Sequence, residues 1–170
     1  FDHFMNGDKN ALTPQQKRGF NLFMGKAQCA TCHFAPVFNG LLPPFYDMTE
    51  LENLGVTKDT NFTHPKLDAD SGRFATTPAK YYMRMFKTPG LRDIAKTAPY
   101  MHNGAFPDLK SVLEFYNKGG GEGLGLDVPN QTLSSKPLEL SDSEMEDIIA
   151  FLNSLTDADT SVLTIFTNTN

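Results

Sequence analysis

Cys29-Ala30-Thr31-Cys32-His33 is the stretch of this sequence whose residue types and spacing promise chemistry. Thiols three positions apart share one helical turn, and the imidazole follows directly, so three donors converge on a small volume. Three chemistries use such a group. A dithiol–disulfide couple wants a strand before the motif and a helix after it, whereas here a helical pattern precedes and proline-broken sequence follows. A zinc site needs a further ligand, and the remaining histidines, His3, His64 and His102, are not spaced as a second pair. The third chemistry is covalent attachment of haem c, in which the thiols add to the two vinyl groups of one porphyrin and the next residue turns its imidazole to the iron. For a chain with 2 Cys and 4 His, chance placement gives this arrangement roughly once in 3,600 sequences. One covalent haem c is therefore the reading, with Cys29 and Cys32 as anchors and His33 as proximal ligand. The second ring nitrogen of His33 is left to donate to a backbone carbonyl, for which spacing suggests Pro43 or Pro44.

What stands across the iron decides the function, because axial-ligand identity sets the potential and whether a substrate reaches the metal. Tyr116 lies on the apolar stripe of a helical pattern, where a hydroxyl without a partner is costly and an iron bond would resolve the cost. Its bland alternative is a core tyrosine bonded to a carbonyl or a haem propionate. Met101, in the turn-rich run Ala98-Pro99-Tyr100-Met101-His102-Asn103-Gly104, would give a high-potential electron-transfer site; its alternative is core packing. His102 is a ligand or a pocket-lining hydrogen-bond donor, and an open position is the fourth choice.

The elements that must position these residues are few. Thr13-Pro14-Gln15-Gln16 starts a helix that runs to about Gly25, with Phe20, Phe23, Met24 and Ala27 as its stripe. Ser141-Asp142-Ser143-Glu144 is a capping box, followed by Met145, Ile148, Ile149, Leu152 and Leu155 on one face. A third helix is expected from Pro107 or Asp108 to Asn117, ended by the glycines that follow. Residues 34–80 lack periodicity and read as loop with one or two helical turns; loop that long usually wraps something. Residues 1–12 read as an extension or linker from a preceding domain, 13–156 as the haem domain and 157–170 as a tail, with an apolar patch at Val162, Leu163, Ile165 and Phe166 that suits a strand or an arm.

Composition agrees. Fourteen Phe, no Trp, eleven Pro and thirteen Gly in 170 residues favour a mainly α, cytochrome c-like fold of short helices and long loops wrapped around the haem. A net charge of −5 argues against a nucleic-acid surface while still attracting a small basic donor protein. No run is long and apolar enough for a transmembrane segment.

Phe86-Lys87-Thr88-Pro89-Gly90-Leu91-Arg92-Asp93, followed by Thr97-Ala98-Pro99-Tyr100-Met101-His102-Asn103-Gly104, resembles two blocks of the bacterial di-haem cytochrome c peroxidase and MauG family. Downstream of C-x-x-C-H, the resemblance covers roughly Leu12 to Leu155 and matches the C-terminal haem domain. It implies that the sixth iron ligand falls on Tyr116, as in MauG-like members, in preference to Met101. It also implies a possible calcium ion on the backbone carbonyls of Thr97 and Pro99, a propionate partner in Arg92, and a haem edge shaped by Tyr100 and His102, with His102 as a pocket candidate. The family's peroxide-cleaving haem sits in an N-terminal domain that has no counterpart in these residues. The implied function is an electron-transfer domain that relays electrons to that second haem domain of a periplasmic or otherwise exported oxidoreductase. A small redox protein would be the donor and hydrogen peroxide the substrate of the whole enzyme. A stand-alone mono-haem carrier with Met101 on the iron is the alternative.

Overall fold

The computed structural model describes residues 1–42, 44 and 46–157. Helix α1 (Asp2–Met5) is one turn. Helix α2 (Pro14–Met24) starts where expected: the Thr13 hydroxyl accepts from the Gln16 amide, and the Gln16 side chain returns the bond to the Thr13 amide. Helices α3 (Leu109–Asn117), α4 (Gly120–Gly123) and α5 (Asp142–Asn153) follow, the last opened by a second capping box at Ser141 and Glu144. Strands β1 (Leu51–Glu52) and β2 (Phe86–Lys87) pair antiparallel, with Leu51 opposite Lys87 and Glu52 opposite Phe86. The fold is thus helical with one small ribbon.

Helices α2 and α5 form the main packed pair. Their backbones meet at Gly19, where an added Cβ would lie 1.9 Å from the Asp147 carbonyl oxygen, so only glycine permits the crossing. Arg18 seals the edge with a bidentate pair to Asp147 at 2.7 and 3.0 Å. Phe23, Ala27, Met145, Ile148, Leu152 and Leu155 are buried as their spacing predicts, while Met24 is half exposed because it has turned off the stripe.

Residues 1–12 pack onto the helix pair. Phe1 packs against Phe20, Phe38 and Phe151 at centroid distances of 5.6, 5.0 and 5.9 Å, and Leu12 is buried. The expected long loop carries β1 and the 3-10 turn Arg73–Ala75, and the turn Lys80–Tyr82 closes it. Asn53 holds it down: its side chain donates to the Pro129 carbonyl and accepts from the Gly55 amide, and its carbonyl accepts from the Thr132 amide. The glycines after Asn117 do end α3, but Gly120–Gly123 then form α4, pressed against Gly55, where an added Cβ on Gly121 would meet its carbonyl at 2.5 Å. The apolar patch expected in the tail lies outside the described residues.

Candidate functional site

The attachment turn is built by ending α2 early. After Gly25 the chain passes through Gln28 in a left-handed conformation (φ 56°) and re-enters helical geometry as the 3-10 turn Cys29–Thr31, with the His33 amide donating to the Cys29 carbonyl at 3.0 Å. Cys29, Cys32 and His33 thereby open on one cavity of about 540 Å³ with a mostly apolar surface. The turn 97–102 and helix α3 supply much of the remaining wall, so Thr97, Pro99, Tyr100, Met101, His102 and Tyr116 line the same space. These residues are spread over 88 positions of the sequence, and the fold brings them together.

The electrostatics suit covalent attachment better than thiol redox chemistry. Both thiols are free. Burial pushes Cys29 up to about 12 and Cys32 up to about 11, so both are protonated at neutral pH, unlike the activated thiolates of disulfide exchange. Cys32 Sγ donates to Glu52 Oε1 at 3.4 Å. Burial also lowers the His33 pKa, which keeps the ring neutral as a ligand must be. The carbonyls facing that ring belong to Phe38 and Pro89 and partly oppose the shift, yet neither meets Nδ1 in hydrogen-bond geometry, and Nδ1 is buried without a partner. Pro44 is not among these groups, and Pro43 lies outside the described residues.

Burial raises the Tyr116 phenol well above its ordinary range, with a smaller contribution from Cys29, Cys32 and Glu52. The hydroxyl of Tyr116 makes no hydrogen bond among the described residues, so the carbonyl-bonded core tyrosine is not what forms. Met101 reaches the cavity from a left-handed backbone (φ 66°). Tyr100 is satisfied internally, its hydroxyl donating to the Ile94 carbonyl at 3.0 Å. The ring of His102 stacks on Phe86 at 3.7 Å and 11°, and its Nε2 lies 3.1 Å from Asp68 Oδ1. The Arg92 guanidinium is engaged by Asp2 at 2.6 and 2.8 Å and by the Pro36 carbonyl at 2.8 Å, off the cavity wall, where the N-terminal turn brings a carboxylate to it. Among the described residues no group of three or more His, Cys, Asp or Glu could hold a metal ion.

Three wall residues and one residue behind the wall that shape the site's polar and aromatic contacts carried no assignment from sequence. Phe86 and Thr88 stand inside the first quoted block, and Thr88 presents a buried hydroxyl with no partner. Glu52 on the wall and Asp68 behind His102 come from aperiodic loop, where no pattern marks them. As a donor set, two protonated thiols, a neutral imidazole and an unpartnered phenol around a mostly apolar cavity fit a haem c.

No family model matches the chain. It is 38% identical over 171 residues to the cytochrome-c peroxidase IdrP1 of Pseudomonas sp. strain SCT, covering 91% of this chain and 43% of that protein. It is 36% identical over 155 residues to the methylamine utilization protein MauG of Methylorubrum extorquens, covering 91% of this chain and 38% of that one. A crystal structure of a MauG-like protein associated with microbial copper homeostasis superposes with a TM-score of 0.70 at 30% identity, over 92% of this chain and 50% of that chain. The chain therefore spans half or less of the length of these relatives, and across that span it belongs to the cytochrome-c peroxidase and MauG family.

Proposed function

We propose that this chain is a haem c electron-transfer domain of a peroxidase- or MauG-like oxidoreductase. The observation that carries the reading is the convergence of Cys29, Cys32, His33 and Tyr116 on one cavity of about 540 Å³. Cys29 and Cys32 would hold the porphyrin to the turn after α2, each thiol S–H having added across one vinyl C=C to leave a thioether link. His33 would supply the proximal iron ligand and Tyr116, whose hydroxyl has no hydrogen-bond partner among the described residues, the distal one. The haem, when bound, supplies a metal that exchanges single electrons. Tyr100 and His102 shape its edge, His102 held flat by Phe86 and Asp68.

With Tyr116 closing the sixth position, the chain serves as relay, and peroxide is cleaved at a second haem domain of the same enzyme. A phenolate ligand lowers the potential and favours oxidised iron. The relatives named as cytochrome-c peroxidases support hydrogen peroxide as the substrate of the whole protein, with a small redox protein as donor. Haem c is attached outside the cytoplasm, which makes the protein periplasmic or otherwise exported; no described helix is long and apolar enough to cross a membrane. Calcium at Thr97 and Pro99 would draw two backbone carbonyls from this chain, short of the six to eight oxygens it takes, so the remainder must come from elsewhere.

The second reading, a mono-haem carrier with Met101 on the iron, is supported by Met101 lining the same cavity. Replacing Tyr116 with Phe separates the two. The ferric visible spectrum should lose its phenolate charge-transfer band and the midpoint potential should rise, while a pyridine haemochrome assay still finds one haem per chain. An unchanged spectrum in Tyr116→Phe with a changed one in Met101→Leu would assign the iron to Met101 instead.

A further inference from the structure

The chain is acidic as a whole, with a net charge of −5, yet residues 71–92 contain Arg73, Lys80, Arg84, Lys87 and Arg92 and no Asp or Glu. Arg92 is neutralised by Asp2. The other four form no ion pair among the described residues. The fold gathers them: the Arg73 amide donates to the Met85 carbonyl at 2.8 Å and the Arg84 amide to the Ser71 carbonyl at 2.9 Å, which lays 71–73 beside 84–87. Arg73, Lys80 and Lys87 are exposed, Arg84 is half-buried, and Tyr81 stands among them 63% exposed.

Arg73 and Lys87 flank an outer cleft of about 310 Å³ floored by Leu51, Met85 and Phe86. One carboxylate, Asp70, borders it, and Asp70 Oδ1 is already held by the Gly72 amide at 2.8 Å. Strand alternation sends Leu51 to this cleft and Glu52 to the inner cavity, so the ribbon keeps its acid on the inside. Phe86 and Lys87 border both spaces. A partner seated on the outer cleft is therefore one ribbon away from the cavity that holds Cys29, Cys32 and His33.

We infer that this face is the docking surface for an acidic electron-carrier protein, the opposite sign from the basic donor that net charge alone selects. The inference rests on the haem reading for what the contact is for, but not for the contact itself. Unpaired surface cations steer a complementary partner and raise its association rate, and the exposed Tyr81 next to Lys80 supplies apolar contact. A reduced one-electron carrier docked here would give one electron to the haem, the carrier becoming oxidised by one electron as the iron goes from ferric to ferrous.

The test uses the haem-loaded chain with flavodoxin as acidic probe and horse cytochrome c as basic probe. Titration calorimetry at low ionic strength should show flavodoxin binding that weakens steeply with salt, and no comparable binding of horse cytochrome c. The double variant Arg73→Glu with Lys80→Glu should weaken flavodoxin binding about tenfold or more and slow reduction by reduced flavodoxin in parallel. Reduction by dithionite and haem content should stay as in the parent chain. Flavodoxin binding that ignores both salt and the double substitution would overturn the inference, as would preferential binding of horse cytochrome c. Loss of the haemochrome signal would instead count against the haem reading, leaving the binding measurement to judge the surface.

Discussion

Between α2 and α5 the backbones are in contact at Gly19, phenylalanine rings close the seam, and Arg18 and Asp147 clip its edge. A short distance away, residues drawn from the turn after α2, from β1, β2, the 97–102 turn and α3 stand back from one another around about 540 Å³. The first region obtains its stability from apolar side chains meeting each other, at close-packed density. The second cannot, because its apolar side chains face the cavity. Its segments are tied instead by side-chain-to-backbone bonds, such as Asn53 to Pro129 and Asn103 to the Thr57 carbonyl. The two regions share a border, since Phe23, Ile148 and Leu152 of the helix pair also face the cavity, and the difference teaches that the pair is packed mainly against itself whereas the wall leaves apolar surface for a bound group to cover.

The sharpest way to break that contrast is to remove the anchors. Replacing Cys29 and Cys32 together with Ser should abolish covalent haem, seen as loss of the haem mass on the intact chain. Amide exchange should then accelerate in residues 51–57 and 97–106 by far more than in α2 and α5; uniform acceleration would mean the two regions are one cooperative unit. Gly19→Ala tests the other side. Its Cβ would meet backbone, which cannot step aside, so a loss of roughly 3 kcal/mol and a fall in Tm of about 10 °C are expected, with the visible spectrum of the folded protein unchanged. The smallest effect concerns the clip. The Arg18 hydrogen bond holds the Asp147 carboxyl below the usual carboxylate range. Its stabilisation is therefore complete above the unfolded aspartate value and disappears as pH falls through the lowered folded one. Asp147→Asn should flatten the dependence of Tm on pH on the acid side, and a dependence as steep as the parent's would show that other carboxylates carry it.

Legibility followed the same division. Thr13, Gln16, Ser141 and Glu144 announce their helices because a capping box is a local hydrogen-bond pattern, complete within four residues. Asp108 was equally readable, its carboxylate accepting from the Ser111 amide at 2.7 Å to start α3. Helix α4 was not, since a run of glycines reads as a stop and becomes helical here through close backbone packing on Gly55. The pairing of Arg92 with Asp2 was not legible, because the two stand 90 residues apart and nothing local links them. Glu52 and Asp68 were invisible for the same reason.

What the residue order determined by itself is a compact donor set and the two helices that bracket the chain: Cys29, Cys32 and His33 within five residues, and caps and stripes that depend only on neighbours along the chain. Only tertiary structure decided that Tyr116 and Met101 share the cavity of His33, that Arg92 serves the N-terminal turn, and that Arg73 and Lys87 flank one outer cleft of an acidic chain. Those outcomes depend on which distant segments meet, and a contact between distant segments leaves no period in the sequence to read.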